Sequence, residues 1–373
     1  MHETSVVQLC ARLQADFNVA RAIPVARAAL GLMVVLRTWV GSGRSAKVAL
    51  SANVCHEVVA AVLGAGCSPI FCDVDPSNSC VPEKEWERVR LAGASVALVV
   101  HIYGNPSNIG VVRRHFLSSE CLVIEDAAQA FGAFNEDGSV GSQGDVGLLS
   151  FGNTKHIDTG GAALLFRDIE FASRFSEELL RIEVTPPTQM LAIYSGFRSR
   201  LEQARCKLRS EGVAAATAFH GLLDGYFPYL QCAPPAGSAA DTCLALDKYP
   251  ESRKQRLGKA LAWETGLTDC GITPVGMGVG SVPWRYTCRI PGIGWATQFR
   301  LGEAMRAHGI QVSHWYLPAH WMCGYVHHTL PHTERLASEI FQFWVDSKTL
   351  LTTIEHHAAV VSAIVKSFHA GER

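Results

Sequence analysis

Apolar residues follow two rhythms along this chain. Short, nearly unbroken apolar runs at Lys47–Leu50, Pro69–Val74, Ser95–His101 and Cys121–Glu125 each predict a strand. Between them, helical spacing predicts helices over Ala28–Thr38, His56–Gly64 and Val81–Leu91. Continuous apolar strands separated by helices imply a parallel sheet covered on both faces. Val146–Phe151 and Ala162–Phe166 add two closely spaced strands, and the charged stretch Ile169–Arg209 predicts a long helix. The Pro/Gly/Ala-rich segment Cys232–Ala240 predicts a linker. Beyond it the pattern gives a helix over Glu251–Thr265, a strand over Val282–Ile290 and a helix over Gln298–His308. An extended stretch over Gln311–Tyr316 and a last helix over His356–Phe368 complete it. The expected organisation is a large α/β domain with an N-terminal arm over residues 1–235, then a smaller α+β domain over 236–373.

Composition narrows the class. With 373 residues, 48% of them hydrophobic, there is material for two cores. Lys and Arg total 33 against 34 Asp and Glu, which leaves no basic footprint for nucleic acid. The apolar segment Ala22–Leu36 is broken by Pro24 and Arg27, so a membrane span is not expected. Glu3, Arg12 and Asp16 interrupt any secretory leader pattern, and a cytoplasmic location is expected. The 12 cysteines include no C-x-x-C pair, and the histidine pairs His327-His328 and His356-His357 are adjacent, a spacing that points them apart on a helix. No metal site is expected. The cysteines read as small buried hydrophobes in a reducing compartment.

Two segments carry candidate chemistry. In Val123-Ile-Glu-Asp-Ala-Ala-Gln-Ala130 an apolar strand ends in two carboxylates, and ligands of parallel sheets bind beyond such strand ends, at Asp126. In Gly141 to Lys155 a lysine follows a strand closely, and burying an ammonium is costly unless its pKa falls or it reacts. Each residue also has a plain reading: Asp126 as a helix N-cap, Lys155 as an exposed loop charge.

Taken together, these segments resemble the DegT/DnrJ/EryC1/StrS aminotransferases, a family with the fold type I architecture of pyridoxal phosphate (PLP) enzymes. Glu125-Asp126-Ala127-Ala128-Gln129 matches the family's E-D-A-A-Q block. Gly141, Gly144-Asp145 and Ser150-Phe151 through Lys155 match its G-x-x-G-D and S-F-x-x-x-K blocks. Asp73-Val74-Asp75-Pro76, Val100 to Gly104, Gly309-Ile310 and Tyr316 to His320 extend the likeness. The resemblance implies a PLP-dependent aminotransferase with Lys155 as internal aldimine lysine and Asp126 against the pyridine nitrogen. It implies Gln129 beside the ring, and Ala26, Arg27, Ala28 and Ser150 around the phosphate. Tyr316, His320 and Arg198 would lie near the substrate. The donor implied is glutamate or glutamine, the acceptor a keto sugar, keto cyclitol or related ketone, and the assembly a homodimer with shared active sites.

The chain departs from the family pattern at three places. Where many members carry an aromatic ring-stacking residue, this chain has Cys55 and His56, and His56 could stack as an imidazole or pack in the core. Asp158-Thr159-Gly160-Gly161 replaces a G-E-G-G turn, and Gly196-Phe197-Arg198 stands where an N-Y-R element would fall. These departures keep two rivals open: another PLP reaction, such as sugar dehydration, and a catalytically silent binding or regulatory protein. Retention of Lys155 argues against the dehydratase route that replaces that lysine with histidine.

Overall fold

The larger sheet is built from strands that are apolar on both faces. The computed structural model describes residues 2–118, 120–235, 237–325 and 329–371. Its first strands are β1 (Arg21–Val25), β2 (Lys47–Ser51), β3 (Ser68–Cys72), β4 (Val96–Val100) and β5 (Leu122–Asp126). A small hairpin, β6 (Phe134–Asn135) and β7 (Gly138–Ser139), precedes β8 (Val146–Ser150) and β9 (Ala162–Phe166). Seven of these strands form one sheet in the order β1-β9-β8-β5-β4-β2-β3. β8, β5, β4, β2 and β3 are joined in parallel, while β9 pairs antiparallel with β1 and β8.

Helices α1 (His2–Phe17), α2 (Ala28–Val40), α3 (His56–Gly64), α4 (Glu83–Leu91), α5 (Ile109–His115), α6 (Ile169–Leu180) and α7 (Pro187–Glu211) accompany this sheet. Strand alternation distributes the side chains between two cores. Val96 and Leu98 of β4 pack with α2 and α3, whereas Ala97 and Val99 pack with Trp86 of α4 and Val112 of α5. On β5, Leu122 and Ile124 take the first face and Val123 the second. The same alternation sends the two carboxylates that follow, Glu125 and Asp126, to opposite sides.

The rest of the chain forms α8 (Ser238–Gly266), β10 (Thr273–Pro274), β11 (Tyr286–Arg289), α9 (Gly294–Ala307), β12 (Val312–Ser313), α10 (Ala319–Met322), α11 (Pro331–Glu339), β13 (Ile340–Phe343) and α12 (Leu351–Gly371). Its four strands pair antiparallel in the order β10-β11-β13-β12. A third core of Trp263, Phe341, Phe343 and Val361 lies between this sheet and its helices. α8 packs on α1 near its start and on α12 near its end. Among the described residues, no helix is long and apolar enough to cross a membrane.

Several elements differ from the pattern-based expectation. The long charged stretch is two helices, broken before Pro186 and Pro187, because proline cannot continue the helix from its own N–H. α8 starts at Ser238 rather than after Pro250, since Ala239, Leu246 and Tyr249 bury against the core that includes Leu9 and Leu13 of α1. The strand expected from Val282 begins only at Tyr286, because Val282 and Trp284 spend their N–H groups on the carbonyls of Gly104 and Tyr103. The His327-His328 pair lies outside the described residues.

That last contact ties the two sheets together and depends on a glycine. Gly104 has φ +94°, and a Cβ there would sit 1.9 Å from the Val282 carbonyl oxygen. Gly104→Ala should therefore cost about 2 kcal/mol or more in backbone strain and lost contact. The check is a fall of several degrees in Tm, with an unchanged Tm contradicting this role.

Candidate active site

Asp126 and Lys155, 29 positions apart in sequence, line one cavity of about 90 Å³ beyond the carboxyl ends of the parallel strands. The cavity also meets Arg27, Ala28, Cys55, Gln129 and Ser150. Asp126 ends β5, is buried, and accepts the Ala128 N–H at 2.9 Å. Burial raises its pKa, and the Ala128 N–H, Lys155 and His101 partly offset that rise. Burial lowers the pKa of Lys155, against the pull of Cys55, Asp126 and Glu57, and the charge of Arg285 lowers it further. The amine is biased toward its neutral, nucleophilic form.

The loop carrying Lys155 is held from three directions. Its own N–H bonds the Gly152 carbonyl at 3.1 Å. Thr154 occupies a left-handed conformation, φ +66°, with its N–H on Asp158 and its carbonyl accepting the Trp284 indole at 2.8 Å. The Lys155 ammonium position lies over the Trp284 ring, 5.7 Å from its centroid. Such a strained non-glycine residue persists only where its surroundings over-determine it.

Glu125, the other half of the carboxylate pair, faces away from this cavity. Its two oxygens accept four donors: the N–H groups of Gly141, Gln143 and Gly144, and the His101 ring at 3.0 Å. His101 Nδ1 accepts the Ser107 N–H at 2.9 Å, which leaves the ring proton on Nε2 to be donated to Glu125. Burial alone would raise the Glu125 pKa, but the hydrogen bond from His101 and those from the loop amides bring it below the usual range. Asp145, closing the G-x-x-G-D segment, accepts the Val123 N–H at 2.8 Å and so fixes the loop to β5.

Gln129 is clamped at both ends. Its Oε1 accepts the Tyr103 N–H at 3.0 Å and its Nε2 donates to the Tyr316 hydroxyl. Tyr103 and Tyr316 are stacked, their ring centroids 6.3 Å apart. Tyr316 thus touches the cavity lining through Gln129 and does not itself line the cavity. The start of α2 carries no side-chain cap, so no capping side chain takes up its first amides, and Ala28 and Ala29 both line the cavity. Ser150 adds a hydroxyl to the same lining.

Four candidates lie elsewhere. Ala26 is in the turn before α2 and does not line the cavity. His56 packs against Phe197, 4.6 Å between centroids, and lies 3.4 Å from the Tyr226 hydroxyl, its pKa lowered to about 4 chiefly by burial. The helix α3 that starts at His56 turns that ring away and presents Cys55 to the cavity instead. Burial pushes the Cys55 thiol up to about 12. His320 is fully buried, 3.1 Å from Glu334, and borders a separate cavity beside β3 with Phe71 and Tyr325. Arg198 is exposed on α7 and faces another hollow. The sequence reading missed Trp284, Arg285 and the anchoring role of Glu125; a Trp-Arg pair beyond a linker gives no local hint of which loop it will meet.

The Glu125 geometry sets an acid limit on stability. A carboxylate whose folded pKa is depressed contributes stability above its unfolded value, about 4.3, and loses it as pH falls through the folded value. Glu125→Gln removes this and places an amide against N–H donors, costing about 2–4 kcal/mol at neutral pH. Urea unfolding at pH 7 and pH 4 checks it: the gap between wild type and variant should narrow at the lower pH, and a gap independent of pH would contradict it.

Comparison with known proteins agrees with this architecture. The profile of the DegT/DnrJ/EryC1/StrS aminotransferase family matches residues 4–215. An L-glutamine:2-deoxy-scyllo-inosose aminotransferase of Streptomyces lividus is 32% identical over 170 residues, 44% of this chain and 39% of that protein. The chain therefore spans about two fifths of the length of that relative. The pleiotropic regulatory protein of Geobacillus stearothermophilus is 25% identical over 313 residues, 80% of this chain and 73% of that protein. The fold is shared with a Streptococcus pneumoniae protein described as a sugar aminotransferase and solved in a PMP form. That likeness has a TM-score of 0.77 at 15% identity and covers 97% of this chain and 92% of that one. With the profile matching more than half of its length, the chain belongs to the DegT/DnrJ/EryC1/StrS aminotransferase family.

Proposed function

We propose that this chain is a PLP-dependent aminotransferase that moves an amino group from glutamine or glutamate to a keto sugar or keto cyclitol. The observation that carries the reading is the shared cavity of Lys155 and Asp126, one amine biased to its neutral form and one buried acid. The donor set fits the cofactor: an amine for an aldehyde, an acid for a ring nitrogen, and uncapped amides with a hydroxyl for a phosphate. When bound, PLP supplies a carbonyl for the amine and an electron-withdrawing ring.

In this reading Asp126 holds a proton at the ring nitrogen, and its buried oxygens have few competing donors. The α2 amides at Ala28 and Ala29 and the Ser150 hydroxyl bind the phosphate. Gln129, fixed by Tyr103 and Tyr316, orients the ring edge. Lys155 Nζ would hold the cofactor through its carbonyl, and as a neutral amine in the same cavity it is the group here that would hold or move a proton beside the reacting carbons. The name of the Streptomyces lividus relative supports glutamine as donor and a cyclitol ketone as acceptor. Family resemblance supports a homodimer with shared active sites, and the free thiols of all twelve cysteines support a reducing, cytoplasmic setting.

A second reading, a regulatory protein that binds without turnover, draws on the Geobacillus stearothermophilus relative and on Cys55 where many family members stack an aromatic. Spectroscopy separates the two. The purified chain with PLP should show the near-visible band of lysine-bound cofactor, and Lys155→Ala should abolish it. Added glutamine or glutamate should bleach that band and release the corresponding 2-oxo acid. A wild-type protein that never acquires the band with excess PLP would overturn both its cofactor and its activity. A stable band that no amino donor bleaches would favour the regulatory reading.

A further inference from the structure

A second cavity, of about 270 Å³, opens between α7 and α9 and is separate from the one holding Lys155. It gathers arginines that are far apart or differently spaced in sequence: Arg198, Arg205 and Arg209 from α7, and Arg306 from α9. Spacings of seven and four residues put the first three on one side of α7. The carboxylate in the lining, Glu303, pairs with Arg306 at 2.8 Å, and Glu202 pairs with Arg209 at 2.8 Å. Arg198 and Arg205 form no ion pair with a carboxylate of the described residues. Two more donors at the cavity, Arg209 Nε and Trp295 Nε1, are buried without a partner.

The guanidinium groups are also held in place. Arg205 lies over the Trp315 ring at 4.7 Å, and Arg209 over Phe299 at 3.4 Å. Stacking fixes each planar fork; the edge of Arg205 is left for an anion, while Arg209 keeps one N–H on Glu202. Burial, with the neighbouring charges of Arg198, Arg209 and Arg306 and against that of Glu202, lowers Arg205 to about 10. Arg205 remains charged at neutral pH, and a crowded, half-buried set of cations with orphan donors is costly until an anion arrives.

We propose that this cavity binds the phosphoryl group of a small phosphorylated ligand. A monovalent carboxylate would engage one fork and leave the second arginine uncompensated. A divalent phosphoryl group offers several acceptor oxygens to two forks and to the orphan N–H groups together. The volume equals roughly nine water molecules, room for a phosphate monoester or a diphosphate. Sequence neighbours link the lining of this site to that of the Lys155 cavity. Trp315 in its wall precedes Tyr316, which holds Gln129, and Phe197 beside Arg198 stacks on His56 next to Cys55. The proposal is independent of the assignment of the Lys155 cavity.

The test is calorimetric titration of the full chain with inorganic pyrophosphate at constant ionic strength, run with and without excess PLP. One saturable site per chain is expected, weakened at least about tenfold in Arg205→Gln, less in Arg205→Lys, and little in Ser150→Ala. Removing Arg205 relieves like-charge crowding, so Arg205→Gln should keep or raise the Tm of the unliganded protein and lose the Tm rise that pyrophosphate gives wild type. Arg306→Gln is the second variant should Arg205→Gln fail to fold. Tighter binding of a hexose 1-phosphate than of inorganic phosphate identifies a phosphorylated sugar as the ligand, and equal binding identifies free phosphate. No saturable binding to wild type, or binding lost in Ser150→Ala but intact in Arg205→Gln, overturns the proposal.

Discussion

At the end of β5 a buried carboxylate is surrounded by four donors, and much of the site's geometry leans on that arrangement. Glu125 gathers the 141–144 loop through three amides and the β4 exit through His101. Because strand side chains alternate, anchoring Glu125 on one face sends Asp126 to the other, among the residues that meet Lys155. The same loop leads directly into β8, whose far end delivers Ser150 and the lysine. One satisfied buried charge therefore positions both an acid and an amine. Unsatisfied, it would leave a carboxylate in the core at considerable cost.

The cavity itself depends on contacts between the two sheets. Trp284 and Val282, which lie before β11, bond the backbone of Thr154, Gly104 and Tyr103. The Tyr103 hydroxyl sits between the Asn53 side chain and the Trp315 carbonyl, at 2.9 and 2.7 Å. Gln342 reaches the same carbonyl at 2.6 Å. The segment around Trp315 and Tyr316 is thus shared: one residue walls the arginine cavity and the next holds Gln129.

Six of the seven central strands were legible because they are continuous apolar runs, and the site because two carboxylates end one of them. β1 (Arg21–Val25), which opens on an arginine and contains Pro24, gave no such run. The helix over His56–Gly64 matched to the residue. What escaped reading did so for physical reasons. α1 carries Leu9, Leu13 and Phe17 at helical spacing, a signal present in the sequence but unused. α5 and β13 are too short for periodicity to reveal. The helix expected over Glu251–Thr265 in fact begins at Ser238, because packing on α1 carries it through Pro250. Which of Cys55 and His56 faces the cavity is a matter of one helical step, decided by Phe197 and Tyr226, which are far away in sequence. His320 and Arg198 were placed by resemblance alone, and their surroundings, Glu334 for one and the arginine cluster for the other, are properties of this chain's own packing.

The most direct measurement is chemical trapping. Borohydride reduction of the protein incubated with PLP, followed by peptide mass mapping, reads which amine has condensed with the aldehyde. The account predicts the pyridoxyl mass on the peptide carrying Lys155, and its disappearance from that peptide when Asp126→Ala weakens cofactor binding. Stable labelling of any other lysine with Lys155 unmodified would contradict it.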